Sequence, residues 1–93
     1  MCTYITELIA VEGSGKGRAG WFDLTDASVY VDHPVAAQAE HTLNIDFRNP
    51  AMGPTARVAV ELTAESALAL IDAIRNALAA VPAGLLVAPA PMQ

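Results

Sequence analysis

The sequence predicts an α+β domain, a four-stranded antiparallel meander sheet followed by one C-terminal amphipathic helix packed on one face. Three observations predict it. Residues His41–Phe47 and Arg57–Leu62 alternate apolar and polar side chains with period two, as half-buried strands do. Residues 63–81 place their apolar side chains at helical spacing instead. The connections between the apolar runs are of hairpin length, too short for the crossovers of a parallel sheet.

The first strand is Tyr4-Ile5-Thr6-Glu7-Leu8-Ile9-Ala10-Val11, and the glycine-rich run Gly13 to Gly20 reads as a long flexible turn. Glu7 interrupts the apolar row of Ile5, Ile9 and Val11, so it is partly buried if that row faces inward and exposed if it does not. Trp21 to Asp32 forms the second strand. Its apolar parity moves from Phe22 and Leu24 to Ala27, Val29 and Val31, the change of face that a bulge near Thr25-Asp26 produces. Trp21 and Tyr30 read as packing residues, because no basic patch accompanies them. His33-Pro34 ends the strand, since proline has no N–H for the ladder.

The third strand, His41 to Phe47, points Leu43, Ile45 and Phe47 inward, and its Asn44 and Asp46 read as a solvated face. Asn49-Pro50 and Gly53-Pro54 punctuate the next connection, and Val58, Val60 and Leu62 face inward from the fourth strand. Thr63 is a good N-cap, Glu65 suits the positive helix end, and Pro82 stops the run. At about 100° per residue, Ala67, Leu70, Ile71, Ile74, Ala77, Leu78 and Val81 share one side. Residues 1–82 thus form the domain, and 83–93 a Pro/Ala-rich tail. The helix covers one sheet face. Phe22, Leu24 and Tyr30 are read on the other, which a second copy would keep dry, so a homodimer is expected.

Composition narrows the function classes. The chain has 93 residues, 54% of them hydrophobic and 16% charged, which excludes a disordered segment. Ten acidic residues against five basic ones give a net charge of −5, which argues against nucleic acid as a partner. No run approaches the ~20 apolar residues that span a bilayer, so no membrane role is expected. Residues 1–12 hold Glu7 and Glu12 with no Lys or Arg, unlike a secretory signal, and the single cysteine, Cys2, suits the reducing cytoplasm.

Two motifs fail their context. Gly15-Lys16-Gly17-Arg18-Ala19-Gly20 spells G-x-G-x-x-G, but Trp21-Phe22 opens a strand where the dinucleotide motif needs a helix. Gly13 to Gly17 resembles a phosphate loop, yet no Ser or Thr follows Lys16. No nucleotide is expected, although Lys16 and Arg18 can close over an anionic ligand.

The chemistry sits between the second and third strands. His33 continues the parity of Val29 and Val31, and His41 that of Leu43, Ile45 and Phe47. Antiparallel pairing then puts the only two histidines opposite each other, with Cβ atoms about 4.5–5.5 Å apart. Two imidazoles at that separation can share one metal at about 2.0–2.1 Å per bond. Topology brings Cys2 to the same edge as a third ligand, and Asp32 and Glu40 flank the pair as ligands, orienting acceptors or catalytic proton acceptors.

Met1-Cys2-Thr3-Tyr4-Ile5-Thr6-Glu7, Glu12 to Gly17, Trp21-Phe22, Asp32-His33-Pro34 and Glu40-His41-Thr42-Leu43-Asn44-Ile45-Asp46-Phe47-Arg48-Asn49-Pro50 resemble a family of small uncharacterised bacterial proteins from high-GC genomes. The resemblance spans about residues 1–80. It implies a natural domain and brings no functional residue with it, because no activity is established for that family.

The leading expectation is a small metal-binding protein, or metalloenzyme, with zinc or another transition metal on His33 and His41. The first rival is a metal-free enzyme or binder for a small apolar ligand, using a His/carboxylate pair and a pocket between helix and sheet. The second is a non-catalytic module whose sheet face docks a protein.

Overall fold

The computed structural model describes residues 5–86. Its elements are β1 (Thr6–Gly17), β2 (Gly20–Asp32), β3 (Thr42–Arg48), a 3-10 turn (Pro50–Met52), β4 (Arg57–Leu62) and α1 (Ala64–Ala80). The strands form one antiparallel sheet in the order β1-β2-β3-β4. The expected α+β meander is therefore present, and β4 occupies the stretch its alternation marked.

The glycine-rich run is a correction. Gly13 to Gly17 is strand, paired from Gly13 opposite Leu24 to Gly17 opposite Gly20, and only Arg18-Ala19 turns. Gly20 has φ 115°, a region that glycine enters without a steric cost. A side chain at Gly17 would meet Phe22 Cε1 at 2.9 Å and the Arg57 carbonyl oxygen at 3.3 Å, so glycine lets the hairpin tip lie against β4. The stretch that spells G-x-G-x-x-G is a hairpin running from β1 into β2, and no helix follows it to receive a phosphate.

The bulge also moves. Ala10 faces Asp26 while Gly13 faces Leu24, so the extra residue sits in β1 and not at Thr25-Asp26 of β2. Beyond it, β2 turns Phe22 towards Gly17 and Leu24 towards Gly15 and Val58. Those two side chains therefore leave the face on which Tyr30 lies.

The register gives the sheet one apolar and one polar side. Val29, Ile45 and Val60 align across three strands on the first, and Tyr30, Asn44 and Glu61 on the second. Tyr30 is consequently part of a polar side, not of an apolar one. On that side Thr42, Asn44 and Asp46 are buried, a correction to the solvated reading of Asn44 and Asp46. They lie on an inner strand and are flanked by longer neighbours. Trp21 is 71% exposed and does not pack as expected. Glu7 faces Val29 on the edge strand and is exposed.

The helix begins one residue after β4. Thr63 Oγ1 accepts from the Ser66 N–H at 3.1 Å, capping a first turn that contains Glu65. Thr63→Ala is expected to lower stability by about 1 kcal/mol, read from denaturant unfolding. The helix touches β3 and β4, but none of its residues is buried. It does not cover a sheet face as its amphipathic pattern suggests. The radius of gyration, 15.3 Å, exceeds the ~12 Å of a compact chain of this length. The fold is open.

Candidate functional site

The β2–β3 register ends at Asp32 opposite Thr42 and, carried one step further, puts His33 opposite His41. The two rings do meet. Their centroids are 4.4 Å apart and their planes 29° from parallel, a stacked pair at one corner of the sheet. His33 is exposed and His41 half-buried, with its Nε2 atom out of solvent.

Local main-chain contacts hold this corner. The His33 N–H donates to Asp32 Oδ1 at 2.7 Å, so Asp32 shapes the turn into the loop. Nδ1 of His33 lies 2.8 Å from the Glu40 carbonyl oxygen. In the neutral ring that contact puts the proton on Nδ1 and the lone pair on Nε2, the arrangement by which a main-chain carbonyl commonly orients a metal-ligating histidine. Glu40 therefore acts here through its carbonyl, while its side chain is exposed.

The expected residues are thus brought together in part. His33, His41, Asp32 and the Glu40 main chain share one corner, but among the described residues no three His, Cys, Asp or Glu side chains form a metal-ligand group. Cys2 lies outside the described residues. An imidazole lone pair lies in its ring plane, so stacked rings inclined by 29° hold theirs in two nearly parallel planes that do not converge between the rings. A metal about 2.0–2.1 Å from both nitrogens requires one ring to turn out of the stack.

Sequence reasoning missed Glu61. From β4 its carboxylate accepts three successive main-chain N–H groups of the loop, from Val35 at 2.5 Å, Ala36 at 3.0 Å and Ala37 at 3.0 Å. Consecutive amides converging on one anion form a nest. These bonds hold the Glu61 carboxyl below its ordinary range, opposed only by a weaker desolvation effect. The available signal was slight: Pro34 to Ala37 has no polar side chain, so its amides need an outside acceptor.

The polar side carries a second network that sequence did not reveal. Asp46 accepts from Tyr30 Oη at 3.0 Å and from Arg57 Nη2 at 2.9 Å, while Arg48 Nε donates to Asp26 at 2.8 Å. The Tyr30 hydroxyl is pushed above its usual pKa, first by burial and then by its bond to Asp46. Thr42 Oγ1 donates to Asn44 Oδ1 at 2.6 Å deeper in the same layer.

An open meander with a histidine pair at one corner and an ionic network on one side defines a small α+β protein with a candidate ligand-binding corner. Among the described residues no helix is long and apolar enough to cross a membrane. The chain belongs to DUF6295, a family of unknown function whose profile matches residues 1–87. No curated protein and no solved structure matches it.

Proposed function

We propose that this chain is a small cytoplasmic metal-binding protein, acting as a homodimer, in which His33 and His41 hold a transition metal, zinc foremost. The observation that supports this reading is the paired rings, 4.4 Å apart, with Nδ1 of His33 engaged by a main-chain carbonyl. Metal capture turns one ring out of the stack and uses Nε2 of His33. Cys2 is the third ligand in this reading, kept a thiolate by a reducing compartment and the metal itself.

Zinc held by these three ligands would supply an activated water near neutral pH. Asp32 and Glu40 are then the proton acceptors beside the ligands. The rival reading, a small apolar ligand beneath the helix, has less support. Two clefts among the described residues are lined by Arg48 and Arg57, and by Arg18 and Arg57, with neither histidine in their lining.

The test is elemental analysis and zinc titration of protein purified without a polyhistidine tag. About one equivalent per chain is expected, falling below about a tenth in His33→Ala/His41→Ala with the far-ultraviolet spectrum unchanged. Wild-type protein that takes up no zinc, or a double variant that binds as well, rejects the proposal.

The homodimer is supported by the apolar stripe of the helix. Leu70, Ile71, Ile74 and Leu78 are 42%, 45%, 50% and 56% exposed, a row that a second copy covers.

A further inference from the structure

We infer that the protein binds a small organic oxyanion, a phosphate or carboxylate, in a cleft between the β3–β4 edge and the loop joining those strands. The cleft has a volume of about 410 Å³ and is lined by Asp46, Arg48, Pro50, Pro54, Ala56 and Arg57, among others. That size is within the range of small-ligand sites.

Arg48 and Arg57 stand directly opposite each other on neighbouring strands, so both guanidinium groups rise from the same side. Like charges placed this way destabilise a sheet unless something lies between them. Two carboxylates nearby balance the two charges without using up the donors. Arg48 donates Nε to Asp26 and Arg57 donates Nη2 to Asp46, one hydrogen bond each. A guanidinium carries five N–H donors, so each keeps several for another acceptor, in the fork geometry that matches carboxylate and phosphate.

Charge distribution points the same way. A second cleft, of about 220 Å³, is lined by Arg18, Thr55 and Ala59 and shares Pro54 and Arg57 with the first. Three of the chain's five basic residues therefore line two adjoining clefts of a protein with net charge −5. Asp46 does not repel the ligand freely, because both its oxygens are engaged, Oδ2 by Tyr30 and Oδ1 by Arg57. It fixes Arg57 in position. Pro50, Pro54 and Ala56 offer apolar contact to the body of the ligand, beyond its charged head.

The test is a titration of the full chain at low salt, followed by amide nuclear magnetic resonance, with inorganic phosphate and with benzoate as separate probes. Saturable shifts over residues 46–57 are expected with at least one probe. The apparent affinity should fall about tenfold or more in Arg57→Gln and in Arg48→Gln, and stay unchanged in Arg75→Gln on the helix. Response to phosphate alone assigns a phosphorylated ligand, to benzoate alone a carboxylate, and to both a site reading charge and fork only. If Arg57→Gln unfolds, Arg57→Lys keeps a cation beside Asp46 and should still lose affinity, since ammonium lacks the fork. Shifts that do not saturate, or that weaken equally in Arg75→Gln, overturn the inference.

Discussion

Ile74→Glu is expected to leave the chain monomeric at micromolar concentrations at which the parent chain is expected to be dimeric. The surface area is the reason. The chain exposes 7220 Å², whereas a folded monomer of 9.7 kDa exposes about 5,100 Å². The excess reflects an open fold whose helix buries none of its residues, and an uncovered apolar row of this kind is what a two-fold contact would cover. The row is on the helix, where Ile74 is 50% exposed between Leu70, Ile71 and Leu78. A two-fold interface uses the same patch twice, so one substitution introduces two carboxylates into the centre of the contact. Desolvating an unpaired charge costs several kcal/mol, and a dissociation constant weakened by at least about a hundredfold follows. Asp72→Ala, on the opposite side of the helix, should leave the dimer intact. Sedimentation velocity from about 1 to 100 μM reads the result. A parent chain that stays monomeric throughout, or a variant that stays dimeric, refutes it.

The fold was legible where side chains alternate. Leu43, Ile45 and Phe47 set the facing of β3, and once β2 and β3 were paired His33 and His41 had to oppose each other. What was not legible falls into three physical classes. Glycines carry no hydropathy pattern, so Gly13 to Gly17 read as a loop although its backbone is paired along its length. Polar residues at alternate positions read as solvated. Nothing local tells that Asn44 and Asp46 lie on an inner strand between longer side chains, nor that Arg48 and Arg57 come to share a cleft. Last, the periodicity of α1 establishes that an apolar side exists but not what covers it, and here the sheet of the same chain does not. The same limit applies to Glu61, whose partners are main-chain amides that carry no residue-type signal.

Glu61→Gln is expected to release the loop that spaces the two histidines. Both oxygens of the native carboxylate are used, Oε2 by Val35 and Oε1 by Ala36 and Ala37. The amide of glutamine keeps one acceptor and sets an NH₂ group against the remaining N–H donors, so the nest loses both its charge and half its acceptors. Hydrogen exchange at Ala36 and Ala37 should accelerate by about tenfold or more. Zinc uptake should weaken as well, because the Glu40 carbonyl that orients His33 belongs to the same loop. The pH dependence has a definite sign. The Glu61 carboxyl is held below its ordinary value by these three hydrogen bonds, so the stabilisation is complete above the usual carboxylate range. It is lost as pH falls through the lowered folded-state value, when the protonated carboxyl can no longer serve three donors. Amide resonances of residues 35–37 should therefore titrate in the parent below the usual glutamate value of about 4.3, and not in Glu61→Gln. If these amides exchange equally fast in both proteins, or titrate at the ordinary value, Glu61 does not anchor the loop and the histidine spacing must be set from within the loop itself.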